Sequence, residues 1–195
     1  MTILLASTSK TRQAMLSNAG INFTAVRPDV DEAAIKQANP HWSPQQAARE
    51  LAFRKAQVTA MNHPGMLVVG ADQTLCFDGK TFDKPATLIE ARQQLQTLRG
   101  QPHLLISAVC CVRTGVEIWC HVEEARLTMR HFSPEFLDHY LSILGEDSLT
   151  SVGAYKIEGL GAQLFDRIDG DHFTILGLPL LPLLGFLRRE GIVLT

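Results

Sequence analysis

Ile3-Leu4-Leu5-Ala6-Ser7-Thr8-Ser9-Lys10-Thr11-Arg12 joins a short apolar run to the start of a helix. Ile3 to Ala6 reads as a short buried strand. Ser9 is a helix N-cap, and Ala14, Met15, Leu16 and Ala19 form one face of the helix that follows, closed by Gly20. A turn of small residues feeding a helix N-terminus presents unpaired N–H groups and the positive end of the helix dipole. The hydroxyls of Ser7 and Ser9 add donors there, and Lys10 and Arg12 add charge. Together these are a physical recipe for a phosphate site. It is not a P-loop, because the Gly-x-x-x-x-Gly-Lys spacing is absent. Taken alone, the same residues also read as a capped helix with solvated cations.

Outward from this unit, Ile21 to Val26 alternates as a second strand, and a polar loop runs through Asp31 and Glu32. Ser43-Pro44-Gln45-Gln46 carries a capping box with proline at the first helical position, so a helix is expected to about Asn62. On that helix Lys55 lies four residues after Leu51, beside the apolar face. Leu67 to Gly70 is a buried strand ending at Asp72. Thr87 and Glu90 form a second capping box, opening a helix that stops at Gly100. His103 to Val112, Val116 to Val122 and Ala125 to Met129 read as three antiparallel strands. Ser133-Pro134 starts a helix ended by Gly145, Gly153 to Gly161 is a glycine-punctuated loop or strand, and a last helix spans about Leu178 to Arg189. Strands and helices alternate first and strands cluster later, which predicts an α/β fold with a mixed sheet in one domain over residues 1–195.

Four further groups carry chemistry. Arg54-Lys55 can reach a polyanion, or be a surface pair with buried stems. Gly70-Ala71-Asp72-Gln73 places a carboxylate at a strand end, where it can bind a divalent metal, act as general base on water, or serve a local turn. Lys84-Pro85 sets a cation before a rigid turn. In Gly153-Ala154-Tyr155-Lys156-Ile157-Glu158-Gly159, Glu158 can accept hydrogen bonds from a purine edge, or the segment is simply a glycine-rich turn.

Composition narrows the class. The chain has 195 residues, 46% hydrophobic and 19% charged, which excludes general disorder. Its net charge of −2 argues against a partner that is long nucleic acid. Residues 1–60 nevertheless carry seven Lys/Arg against four Asp/Glu, whereas the rest carries 11 against 16. The apolar run from Ile175 to Leu187 is too short for a membrane span. Met1 to Ser7 lacks the basic start of an export signal. Cys76, Cys110, Cys111 and Cys120 form no Cys-x-x-Cys pair, so reduced core thiols and a cytoplasmic location are expected. Zinc-type histidine spacings and a Gly-x-Ser-x-Gly elbow are also missing.

In order, Leu5-Ala6-Ser7-Thr8-Ser9…Arg12, Asp31-Glu32, Leu51-Ala52…Lys55-Ala56, Gly70-Ala71-Asp72, Lys84-Pro85, Gly153-Ala154-Tyr155…Glu158-Gly159 and Gly177-Leu178-Pro179-Leu180 span nearly the whole chain. This series resembles the Maf family of nucleoside triphosphate pyrophosphatases. The resemblance implies a mixed twisted sheet flanked by helices, in two lobes around a nucleotide cleft, as in inosine triphosphatase-like proteins. It implies a homodimer and a divalent cation (Mg, Mn or Co), with hydrolysis between the α- and β-phosphates. By matching position, Asp72 is the catalytic carboxylate and, with Glu32, a metal residue. Ser7, Ser9, Arg12, Lys55 and Lys84 are the phosphate-binding set.

The resemblance implies that Thr11, Gln73 and Glu158 are specificity positions. The thymidine/uridine branch of the family has Thr and Gln at the last two, so Gln73 and Glu158 are similar to the branch acting on 7-methyl-GTP. Where the family commonly reads Ser-Pro-Arg-Arg, this chain has Ser9-Lys10-Thr11-Arg12. Two other roles fit the class: a broad house-cleaning dNTP/UTP pyrophosphatase, and a non-catalytic nucleotide-binding regulator of septum formation.

Overall fold

A computed structural model describes residues 2–194. Met1 and Thr195, the outermost residues of the expected domain and the start of the N-terminal reading, lie outside the described residues. The elements in order are β1 (Ile3–Ala6), α1 (Lys10–Asn18), β2 (Phe23–Val26), α2 (Glu32–Ala38), α3 (Pro44–Met61), β3 (Leu67–Phe77), β4 (Lys80–Phe82), α4 (Leu88–Leu98), β5 (Pro102–Arg113), β6 (Val116–Met129), α5 (Pro134–Leu144), β7 (Phe165–Asp169), α6 (His172–Ile175) and α7 (Leu180–Arg189). The strands form one seven-stranded sheet in the order β2-β1-β3-β5-β6-β7, with β4 paired to β3. β1 runs parallel to β2 and β3, while β3–β4 and β6–β7 are antiparallel, so the sheet is mixed as expected. No helix among the described residues is long and apolar enough to cross a membrane.

The chain divides into two compact units. The first comprises 1–73, 106–124 and 171–195; the second comprises 74–105 and 125–170. In the first unit, strand alternation sorts the core into two layers. Leu4, Ala6 and Val68 pack with Ala56 and Ala60 of α3. Ile3, Leu5, Leu67, Val69 and Ala71 pack on the opposite face, with Met15 and Leu16 of α1 and Leu183, Phe186 and Leu187 of α7. Ala14, expected on the buried face of α1, is exposed, because that face is only Met15 and Leu16 wide. In the second unit Leu75, Leu95, Leu98, Leu127, Phe132 and Tyr140 are buried, and Tyr155 meets Phe165 edge-on at 4.9 Å.

Several expected boundaries moved for physical reasons. The loop through Asp31 and Glu32 is the start of α2: Asp31 Oδ1 accepts from Ala34 N–H at 2.9 Å and caps it. β3 does not end at Asp72 but runs on to Phe77, because Asp78-Gly79, both at positive φ, turn it directly into β4. Two of the three strands expected after His103 are one continuous β6, since the polar pair Glu123-Glu124 does not break a ladder.

Gly153 to Gly161 contains no strand and is flanked by short 3₁₀ turns. The last helix starts at Leu180, with the short α6 before it. Glu90 accepts from Ala86 N–H at 2.8 Å rather than from the cap residue Thr87, whose hydroxyl accepts from Glu90 N–H at 3.2 Å. Cys110 and Cys120, expected as reduced thiols, are joined by a disulfide. The two-residue connection between β5 and β6 makes them a hairpin and sets these positions 4.1 Å apart at Cα. Cys76 and Cys111 are free thiols.

Candidate active site

Alternation along β3 points Val68, Gly70 and Asp72 toward α3. On α3, Ala52, Lys55 and Ala56 fall at i, i+3 and i+4 and share one face. Gly70 lets that face come close: a Cβ there would lie 2.1 Å from the Ala52 carbonyl oxygen and 2.8 Å from Ala56 N. As a result, Lys55 Nζ donates to Asp72 Oδ1 at 2.6 Å, with each side chain only 8% exposed. Glu32, the first residue of α2 and 45% exposed, sets Oε1 2.8 Å from the same ammonium. Lys55 is therefore shared between one buried and one half-open carboxylate. Burial pushes the Asp72 carboxyl above its ordinary pKa, with a small push from Glu32, against the pull of Lys55 and Arg12. A carboxyl biased toward holding its proton suits a proton acceptor.

The turn from β1 to α1 builds the second half of the cluster. Ser7 is buried, and its Oγ accepts from Ser9 N–H at 3.2 Å. Ser9 caps α1 by accepting from Arg12 N–H at 3.4 Å. Arg12 donates through Nε to the Gly177 carbonyl at 2.8 Å and through Nη1 to the Ala71 carbonyl at 2.9 Å, with Ser7 Oγ 3.5 Å from Nη1. Burial draws the pKa of the guanidinium down, and the charges of Asp72 and Glu32 hold it up. Thr11 is half-buried in the first turn of α1.

Ser7, Arg12, Glu32, Lys55 and Asp72 thus form one charged network inside the first unit. Gln73 faces away from α3, toward the residues after β7, and its Nε2 donates to Ser107 Oγ at 3.1 Å and to the Thr174 and Ile175 carbonyls at 3.2 and 3.0 Å. Lys84, exposed after β4, and Glu158, exposed between two 3₁₀ turns, belong to the second unit. Sequence reading missed Ser107 and Thr174, as well as Glu123, whose Oε2 accepts from Thr174 Oγ1 at 2.9 Å. The signal was there: Ser107 and Thr174 are polar residues inside apolar runs, and a buried hydroxyl needs a partner.

Asp72 and Glu32 offer two hard oxygen donors that converge on one cationic point. Magnesium-type ions take one or two carboxylates and complete their shell with water and substrate phosphate, so the donor chemistry fits a divalent cation. The three-donor cluster among the described residues lies elsewhere, at Cys110, Glu117 and Cys120. There the sulfurs are bonded to each other, and Arg49 Nη2 holds both Glu117 oxygens at 2.8 and 3.0 Å.

The fold and the network define an α/β protein that gathers a carboxylate–ammonium–guanidinium set beside a helix N-terminus, an arrangement suited to a polyanion. A family model described as "Maf-like protein" matches residues 2–190, and the chain belongs to the Maf family. A protein of Rhodopseudomonas palustris named nucleoside triphosphate pyrophosphatase is 50% identical over 191 residues, 98% of this chain and 95% of its own. One of the same name from Paramagnetospirillum magneticum is 53% identical over 190 residues, 96% and 98% of the two chains. Among solved structures, a nucleoside-triphosphatase / dITP/XTP pyrophosphatase from Mycobacterium abscessus aligns over 75% of this chain and 96% of its own, with 18% identity and a TM-score of 0.43.

Proposed function

We propose that the chain is a nucleoside triphosphate pyrophosphatase, a hydrolase that splits the α–β phosphoanhydride and releases the monophosphate and pyrophosphate. The observation that carries this reading is the buried Asp72, held at 2.6 Å by Lys55 beside Arg12 and the start of α1. Two relatives at 50% and 53% identity over nearly the full chain bear that name.

In this reading, phosphate oxygens take the hydroxyls of Ser7 and Ser9 and the N–H groups that open α1. Asp72 orients a water and receives its proton as the water oxygen bonds to the α-phosphorus. The bond from that phosphorus to the bridging oxygen breaks, and pyrophosphate leaves with the electron pair. Lys55 fixes the Asp72 carboxylate, and with Arg12 it stabilises the charge that develops on the phosphate oxygens. Lys84 is a further phosphate-binding cation in the proposal. Asp72 and Glu32 would hold a divalent cation (Mg, Mn or Co), which when bound supplies Lewis-acid stabilisation of the phosphate. A cytoplasmic homodimer belongs to the same proposal.

The finer reading is 7-methyl-GTP. Glu158 supports it, since a carboxylate accepts from the N–H donors of a guanine edge and its charge suits a cationic methylated base. The test is a nucleotide panel assayed separately for pyrophosphate and orthophosphate with each metal. Pyrophosphate with monophosphate, fastest from 7-methyl-GTP, is expected. Orthophosphate release would overturn the reaction class; indifference to the base would overturn the substrate.

A further inference from the structure

Gln73 sits next to Asp72, yet its amide faces the other side of the sheet. Its Nε2 meets three acceptors: Ser107 Oγ at 3.1 Å and the carbonyls of Thr174 and Ile175 at 3.2 and 3.0 Å. The flipped amide would set its own oxygen against two carbonyl oxygens, so the orientation is chemically fixed. Ser107 Oγ itself donates to the Thr174 carbonyl at 2.8 Å, which leaves it an acceptor toward Gln73.

Both Ser107 and Thr174 are fully buried. Thr174 is anchored from behind, its Oγ1 donating to Glu123 Oε2 at 2.9 Å and its N–H to Asp171 Oδ1 at 3.0 Å. Three residues further on, Gly177 adopts φ +97°, a conformation that side-chain-bearing residues rarely take, and its N–H returns to the Thr174 carbonyl at 3.0 Å. The Gly177 carbonyl then grips Arg12 Nε at 2.8 Å. The other grip on Arg12 is the Ala71 carbonyl, on the same strand as Gln73 and two residues before it.

Gln73 thus ties together the two backbone segments whose carbonyls clamp the guanidinium. A Cβ at Gly177 would lie 3.4 Å from Arg12 Nη2 and 3.5 Å from Gln73 Oε1, so both side chains flank that turn. We propose that Gln73 is a positioning residue for phosphate recognition: through the Thr174–Gly177 turn it fixes where Arg12 points, so it acts on the hold of the phosphate chain, equally for every base, rather than by contact with the base. This rests on the reading of Arg12 as a phosphate-binding residue.

The test measures binding of inorganic tripolyphosphate, which has no base, by calorimetry, and KM and kcat with one purine and one pyrimidine triphosphate. Gln73→Leu is expected to weaken tripolyphosphate at least about tenfold, the size of a misplaced charge-assisted contact. It should raise KM by the same factor for both bases, with kcat changed less than about threefold. Arg12→Ala/Gln73→Leu should lose no more than Arg12→Ala, because the two act as one unit. Ser107→Ala, which removes one of the three acceptors, should shift tripolyphosphate affinity in the same direction by less, and serves if Gln73→Leu folds poorly.

Unchanged tripolyphosphate affinity with a changed base preference would overturn the proposal, as would losses that multiply in the double variant or a parent protein that does not bind tripolyphosphate. A protein that binds tripolyphosphate through Arg12 and Gln73 but turns over no nucleotide would leave this inference standing and defeat the pyrophosphatase reading.

Discussion

Replacing Lys55 with methionine removes one charge and little volume, and the structure says where the cost falls. Lys55 Nζ stands 2.6 Å from Asp72 Oδ1 with both side chains 8% exposed, and 2.8 Å from Glu32, which is 45% exposed. The Glu32 contact is open to solvent, and such pairs contribute about 0–1 kcal/mol. The Asp72 contact is not, and leaving one charge of a buried pair unpaired costs about 3–5 kcal/mol. The loss also carries a pH signature. Burial already holds the Asp72 carboxyl above its ordinary range, and without Lys55 it rises further. A carboxyl whose folded pKa is raised contributes stability that is complete below the unfolded pKa and is lost as pH rises through the folded one.

Lys55→Met should therefore cost about 3–5 kcal/mol at pH 7.5 and much less near pH 4. Urea unfolding followed by tryptophan fluorescence at both pH values measures this. Adding Asp72→Asn removes the stranded charge and should bring stability at pH 7.5 back to within about 1.5 kcal/mol of the parent. A single-variant penalty below about 1 kcal/mol, the same penalty at both pH values, or no recovery in the double variant refutes the reasoning.

Two other perturbations probe the packing within each unit. Gly70→Ala drives a methyl to 2.1 Å from the Ala52 carbonyl, so α3 must lift from β3. A stability loss of about 1–3 kcal/mol in chemical denaturation is expected, together with a turnover loss of at least tenfold as Lys55 leaves Asp72; a neutral variant contradicts the close approach. His103, 2% exposed with Nε2 2.7 Å from Tyr155 Oη, has its pKa drawn by burial from 6.5 down to about 4. The folded chain then holds fewer protons than the unfolded one between those values, and stability falls as pH drops from 6.5 through 4, by about 3 kcal/mol in all. His103→Phe should flatten that part of the stability–pH curve, and an unchanged slope tells against the buried neutral ring.

How much of this was legible depended on range. Local chemistry read well. Ser9, Ser43 and Ser133 cap their helices as the sequence suggested, and Gln46 Oε1 completes the box by accepting from Ser43 N–H at 2.8 Å. Lys55 lies on the buried side of its helix, as its spacing from Leu51 suggested, but its contact with Asp72, seventeen residues on, was not foreseen. Some local signals went unread: Asp78-Gly79 announces the β3–β4 hairpin, and Asp31 ahead of two alanines announces α2. What could not be read was long-range convergence. Nothing near Gln73 foretells partners 34, 101 and 102 residues away. The Cys110–Cys120 bond depends on hairpin register, which spacing alone does not fix. The Gly177 carbonyl that holds Arg12 comes from 165 residues downstream.

If hydrolysis turns on the Asp72 carboxylate, pyrophosphate release by Asp72→Asn at saturating nucleotide and metal must show it, with circular dichroism and thermal unfolding run on the same sample. Loss of turnover by at least about a hundredfold in a variant that keeps the parent's circular dichroism at the assay temperature is the predicted result, with the melting point lowered because Lys55 loses its buried partner and keeps only Glu32. Full pyrophosphate release by the folded variant would contradict the account.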